Sequence, residues 1–399
     1  MTDWREVKLG DVAKFSQGIQ VPIEKQSLIP FENSVRFIRI VDLTNPNEPK
    51  RYISNPGERY IISENDLAMV RYGSPGLPVL GMNGAIANNL FRIIPNNLDE
   101  IYPKYLFYYF LIPSIQNYLL TVQPSSTMPS ITFNVMKNMS ISLPSLGVQR
   151  KIAGVLGVLD DKIELNNKIN QNLELQAQAL ILDYIQHTEE KMPLGNLITF
   201  TNGFAFKSSD YLPSGTYKII TIKNVQDGSV DSQGASCLDE LPEKLSKDCC
   251  LCIGDVLLSL TGNVGRVGIV TEENLLLNQR VAKINSKDSL LPFVYFYMRL
   301  PAMKTEMENI SKGTAQQNLS PVETLKLEIS FDREKATELS QTLKTFYDEL
   351  IFNTIQNQNL TELRDTLLPK LMSGEIDVDK VDISELPSAD KLSFNEVQQ

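Results

Sequence analysis

Apolar residues return every three or four positions from Arg150 to about Ile185. Ile152, Leu156, Leu159, Ile163, Asn166, Asn170, Leu173, Ala177, Leu180 and Tyr184 fall on one face of a helix with a 3.5-residue period. Adding 187 to each number gives Leu339, Leu343, Phe346, Leu350, Asn353, Asn357, Leu360, Arg364, Leu367 and Leu371. Only Arg364 departs from the apolar-or-Asn character of its counterpart, and Asn170-Gln171-Asn172-Leu173 recurs as Asn357-Gln358-Asn359-Leu360. The pattern predicts two long helices, roughly 35–40 residues each, paired antiparallel through this seam. Its asparagines either fix the register of the pair at some loss of stability or mark a looser, wetter end.

Ahead of the first helix the period changes. Short β-rich runs at Val35–Val41, Arg51–Ile53, Tyr60–Ile62, Asp66–Arg71 and Leu90–Ile94 are punctuated by glycine and proline. Tyr102–Leu120 has the length of a helix, with Pro113 predicting a break into two pieces. A strand-like Met139–Leu143 precedes Pro144 and the first long helix. Residues 192–331 repeat this order. Leu9-Gly10-Asp11 and Gly18 match Leu194-Gly195-Asn196 and Gly203, Asp66-Leu67 matches Asp255-Val256, and Asn88–Ile93 matches Asn278–Lys283. The expected fold class is α+β: two duplicated mixed α/β domains, residues 1–144 and 192–331, joined by two long antiparallel coiled-coil helices within 145–191 and 332–373. Gly374 is the expected helix stop, with an acidic tail over 374–399.

The chain has 399 residues and a net charge of −10, distributed unevenly: +1 over residues 1–149 and −6 over 333–399. The two globular halves are therefore near neutral, and the totals neither require nor forbid nucleic acid. No apolar run is long enough to span a bilayer, and MTDWREVKLG has no apolar signal core, which implies a cytoplasmic protein with no membrane role. Cys237, Cys249, Cys250 and Cys252 crowd one stretch rather than forming two separated ligand pairs, so reduced thiols and no metal site are expected. No phosphate loop with Lys-Ser/Thr after its glycines occurs. The glycine-rich Gly262–Gly268 lies between two β runs and reads as a strand connection. The single histidine, His187, lacks a partner nucleophile. A catalytic role is not expected.

The order of parts resembles the specificity (S, HsdS-type) subunit of type I restriction–modification systems. The likeness is carried by Leu194-Gly195 through Gly203-Phe204-Ala205-Phe206-Lys207-Ser208, by Gly254-Asp255-Val256-Leu257-Leu258-Ser259 with the Gly262–Gly268 loop, by Gly313-Thr314-Ala315-Gln316-Gln317-Asn318-Leu319-Ser320, and by Ser142-Leu143-Pro144 with Gln149-Arg150-Lys151-Ile152. In the first half, Ser125-Ser126-Thr127-Met128-Pro129 stands where the second has Gly-Thr-Ala-Gln-Gln, and Pro75-Gly76-Leu77-Pro78 where the second has the glycine loop. The resemblance implies two target recognition domains, each reading half of a bipartite site in double-stranded DNA. It implies helices that set the spacing and dock two methylation (M) subunits, with motor-nuclease (R) subunits completing the endonuclease. No cofactor is implied for this chain; S-adenosylmethionine, ATP and Mg belong to the partners. The alternative is a coiled-coil adaptor with two β-rich protein-binding modules and no DNA role.

Under the DNA reading, contacts come from loops. Candidates by chemical type are Lys207, Thr261, Asn263, Arg266, Lys312, Thr314, Gln316, Gln317 and Asn318 in the second domain. In the first they are Arg71, Tyr72, Ser74, Ser125, Ser126 and Thr127. A heptad inserted after Leu173 and another after Leu360 is expected to lengthen the spacer in phase.

Overall fold

The computed structural model describes residues 4–45, 48–122, 130–311 and 318–381. The chain divides into two compact units, residues 1–161 with 360–399, and residues 162–359. Both cuts fall inside the long helices, so each unit holds one β-rich domain and a stretch of each helix.

In the first unit, Ala13–Gln17, Leu90–Pro95, Leu67–Val70 and Pro78–Val79 form an antiparallel sheet in that order. A second sheet has the order Arg51–Ser54, Ser34–Ile38, Gly84–Ile86, Ile61–Ile62, with its two central strands parallel. The run expected as a strand to Val41 ends at Ile38. Asp42 accepts hydrogen bonds from the Arg39 backbone N–H at 2.7 Å and from its guanidinium at 3.0 Å, and Val41–Thr44 turns helical instead. Helices Pro103–Leu111 and Pro113–Thr121 meet at Ile112, whose extended backbone ends one and starts the other before the proline. Tyr105, Leu106, Tyr108 and Phe110 are sealed from solvent against Ile152, Val155 and Leu156 of the first long helix and Leu368 and Leu371 of the second. Each such side chain taken fully from water contributes about 1.5–3 kcal/mol. Gly374, at φ +74°, ends the second long helix, and Val378 beyond it is buried in the same core. The tail after Val381 lies outside the described residues.

The second unit repeats this plan. A five-stranded sheet runs Ile198–Asn202, Val281–Ser286, Val256–Ser259, Val267–Ile269, Gly228–Ser229, and a four-stranded one Cys237–Leu238, Tyr217–Ile220, Leu275–Leu277, Cys250–Leu251. Helices Leu291–Met298 and Pro301–Ser311 follow, and Phe293, Tyr295 and Phe296 pack against Tyr184 and Tyr347 of the long helices.

The long helices are Leu146–Gln186 and Arg333–Ser373, 41 residues each. They run antiparallel in both units. In the first, Arg364 Nη1 donates to Asp160 Oδ1 at 2.9 Å. In the second, Asn166 Nδ2 donates to Asn357 at 2.9 Å and Asn353 Nδ2 to Asn170 at 2.9 Å. Ile152, Leu156, Leu159, Leu343, Leu350 and Leu360 are buried, and Ile163, Leu173, Leu339 and Phe346 are half-buried. One expected seam position differs: Leu180 is 37% exposed, while Ile181 is fully buried. From Leu173 the stripe advances by four residues twice running (Leu173, Ala177, Ile181), because a straight helix packed on a domain follows 3.6 rather than 3.5 residues per turn. The seam asparagines bond one another directly across the pair. With Asn167 and the buried Gln356 they form a six-amide layer, in which Asn166 Nδ2 also donates to Gln356 at 2.7 Å and Asn357 Nδ2 to Asn167 at 2.9 Å.

Candidate nucleic-acid interface

In the second unit four chain segments meet at one end of the sheets. Gly203 leaves its strand so close beneath the next turn that a Cβ there would lie 2.1 Å from the Asn278 carbonyl oxygen, which only glycine avoids. Phe204 then bridges Asn278; its N–H donates to the Leu277 carbonyl at 2.9 Å, and the Gln279 N–H donates to the Phe204 carbonyl at 3.0 Å. The Leu260 N–H donates to the Arg280 carbonyl at 3.2 Å, and Thr261 bridges Asn318. Gly262 and Gly265, at φ +71° and +78°, turn the hairpin between Val256–Ser259 and Val267–Ile269. Gly265 closes it by donating to Ser259 at 3.1 Å. The glycine-rich stretch is thus a strand connection.

The first unit builds the same rim. A Cβ on Gly18 would lie 2.2 Å from the Ala87 carbonyl oxygen, Ile19 bridges Ala87, and Tyr72 bridges Ser130. The Arg71 N–H donates to the Asn89 carbonyl at 2.7 Å. Gly73 and Gly76, at φ +98° and +97°, make the corresponding turn, closed by Gly76 donating to Val70 at 3.0 Å. Pro75-Gly76-Leu77-Pro78 thus stands at the place of Gly262–Gly268, as its order in the sequence implied, and makes the same turn with other residues. Ala87, not Asn88, occupies the place of Asn278, one residue from the sequence match.

Two arginines in the rims are held differently. Arg71 lies inward: Nη1 donates to Gln17 at 2.7 Å, Nε donates to the Ile131 carbonyl at 3.3 Å, and the guanidinium sits 5.6 Å from the centre of the Phe133 ring. That geometry ties the turn to the segment after residue 130. Arg266 is half-buried, its Nη1 donating to Gln226 at 2.7 Å. With the Asn263 amide oxygen turned towards it, Asn263 accepts from Arg266 at 3.2 and 3.3 Å. Lys207, Asn263, Asn318 and Ser74 are exposed, and Thr261 and Tyr72 are half-buried. Lys312, Thr314, Gln316, Gln317, Ser125, Ser126 and Thr127 lie outside the described residues. The rims also carry polar side chains that sequence reasoning missed. Lys223, Gln279 and Arg280 are exposed in the second unit and Gln20 in the first. The signal for two of them was present: Asn278-Gln279-Arg280 is a polar step between the apolar strands Leu275–Leu277 and Val281–Ser286. Guanidinium and amide groups on rigid turns suit bidentate contact with base edges, and lysine and hydroxyl groups suit phosphate.

The family described as type I restriction modification DNA specificity domain matches the chain twice, over residues 1–175 and 187–362. The HindI type I restriction enzyme specificity subunit of Haemophilus influenzae is 23% identical, with 94% of this chain and 100% of that protein covered. The MjaVIII specificity subunit of Methanocaldococcus jannaschii is 22% identical, with 94% and 93% covered. Among solved structures, the S subunit of a type I restriction–modification system from M. genitalium matches with a TM-score of 0.58 at 17% identity. It covers 93% of this chain and 96% of that one, a likeness of fold.

Proposed function

The chain belongs to the type I restriction modification DNA specificity domain family, and from that premise we propose how its parts divide the work. It is the non-catalytic DNA specificity subunit of a restriction–modification complex, with one recognition domain for each half of a bipartite target. The observation that carries this reading is the duplicated rim: two domains of one DNA-specificity family, each presenting the same four chain segments. An adaptor without a DNA role is not favoured by that match. Arg266, Asn263 and Lys207, with Gln279 and Arg280 beside them, read or hold DNA in the second half-site; Tyr72, Ser74 and Gln20 do so in the first. The long helices set the spacing and dock two methylation subunits, and motor-nuclease subunits join these. S-adenosylmethionine, ATP and Mg act on those partners, in the cytoplasm. The net charge of −10 is compatible with this division, because partner subunits can supply most phosphate contacts while base readout needs few.

The test is to express the chain with the methylation subunit of its own system and map methylated adenines across the host genome. One bipartite motif is the expected result; methylation without a bipartite motif, or none that depends on this chain, would overturn the reading. Within that motif, Arg266→Ala should weaken binding by about 1–3 kcal/mol through one half-site alone.

A further inference from the structure

Apolar burial holds a domain on its support without fixing its angle, because the hydrophobic effect has no direction. In the unit of residues 162–359 the recognition domain meets the helices largely through rings. Tyr184 packs on Phe293 and Tyr347 on Tyr295, with centroids 5.2 and 5.3 Å apart. Directional bonds cross that contact too: the Tyr347 hydroxyl donates to the Gly254 carbonyl at 2.6 Å and Gln358 donates to Thr271 at 3.0 Å, and the most buried charged group among them is an arginine. Arg299 follows the helix Leu291–Met298, and its side chain is only 9% exposed. Its Nη1 and Nη2 donate to the two carboxylate oxygens of Glu174 at 2.6 and 3.0 Å. Nε donates to Asp227 at 3.1 Å, and Nη1 also donates to the Tyr295 hydroxyl at 2.7 Å. Gly228, at φ +97°, leaves room for the guanidinium; a Cβ there would lie 2.9 Å from Nη2. Arg299, Asp227 and Tyr295 belong to the recognition domain, and Glu174 to the first long helix.

Among the described residues the first unit shows no counterpart to this fork. The repeat offset of 187 puts Thr361 in the place of Glu174, and the helix match of Pro103 with Pro292 puts Phe110 in the place of Arg299. The polar anchor there is built elsewhere: the Tyr108 hydroxyl donates to Asp160 at 2.6 Å, and Arg364 donates to the same carboxylate. The two copies share the aromatic helix and four strands of one sheet but use different polar anchors, the fork lying beside the added strand Gly228–Ser229 of the second. The fold itself does not demand the Arg299 fork.

We propose that Arg299 and Glu174 are a positioning pair that fixes the angle of the second recognition domain on the helix pair, and through that angle the spacer length of the target. The proposal rests on the DNA-specificity reading above. A planar guanidinium on both oxygens of one carboxylate tolerates little rotation. A rotation of the domain about this contact shifts its rim along the duplex by an amount that grows with distance from the fork, and one base-pair step is only about 3.4 Å. Small angular play would therefore blur spacing while leaving the reading loops, and so both half-site sequences, unchanged.

The experiment uses the complex with its methylation subunits and maps methylated motifs for Arg299→Met, Glu174→Gln and Arg299→Lys, with thermal unfolding of each. The expected result for Arg299→Met and Glu174→Gln keeps both half-sites and raises methylation at spacers one base pair longer or shorter by at least tenfold. Arg299→Lys, which keeps the charge beside Glu174 and Asp227 but not the fork, should fall between Arg299→Met and wild type. Methylation confined to the native spacing in both Arg299→Met and Glu174→Gln would overturn the proposal. So would loss of the second half-site together with a fall in unfolding temperature, since that is what a purely structural contact does. A wild-type complex with no bipartite motif would sink the DNA-specificity reading itself, and the pair's role with it.

Discussion

Asp66 and Asp255 stand at the same place in the two halves and hold the same turn. Asp66 Oδ2 accepts from the Ser63 backbone N–H at 2.8 Å and from its hydroxyl at 2.7 Å, while Oδ1 accepts from Arg92 at 3.0 Å. Asp255 accepts from the Cys252 backbone N–H at 2.9 Å and from Lys283 at 3.3 Å. The shared Asp-aliphatic step in the two halves is therefore a turn lock, not a reading residue. Burial pushes the Asp66 carboxyl up, but the bonds from Ser63 and Arg92 outweigh it and hold the group below its ordinary range. A depressed carboxylate stabilises the fold above its unfolded pKa of about 4 and loses that contribution as pH falls through the folded value. Asp66→Asn should therefore lower unfolding free energy at neutral pH by about 1 kcal/mol, kept small by partial exposure. In urea titrations the gap between wild type and variant should close below about pH 4. A gap that stayed constant with pH would show that charge plays no part in the lock.

At the scale of elements, what was legible depended on period and on glycine. The helix seam could be read because its spacing is helical and recurs after 187 residues. Its drift at Leu180 could not, since that depends on which surface the helix meets. Gly18 and Gly203 were visible as repeated letters, and the structure gives the reason: each passes within van der Waals reach of a carbonyl. Gly203→Ala should destabilise the second unit by about 2–3 kcal/mol or prevent its folding. The test is whether the variant unfolds at lower denaturant; an unchanged midpoint would mean the turn yields freely. The first-half loop could be placed by order, with Pro75-Gly76-Leu77-Pro78 opposite the glycine loop, but its different letters did not show that Gly73 and Gly76 make the same backbone turn. Chemical type selected Arg266, Lys207 and Arg71 alike; the inward bonds of Arg71 to Gln17 and Ile131 depend on tertiary packing that no local pattern encodes.

For the whole molecule, the account stands on two reading domains whose spacing is set by a stiff helix pair. The antiparallel register changes where that can be tested. Asn166 meets Asn357 and Asn170 meets Asn353, so a step forward on one helix is a step back on the other. The sites after Leu173 and after Leu360 are equivalent by repeat but do not face each other, and heptads placed there would break the amide layer between them. Within the first unit Asp160 meets Arg364, which puts the junction after Asp160 opposite the junction after Leu363. Both lie near the cuts between the compact units, clear of the six amides and of the Arg299 fork. A heptad inserted at each adds about 10 Å of helix, or roughly three base pairs of duplex, while every native seam pair is kept. Mapping methylated adenines in cells carrying this variant and its methylation subunits should give both half-sites unchanged and a spacer longer by two or three base pairs. An active variant that still methylates only the original spacing would contradict the account and place the ruler outside the helices.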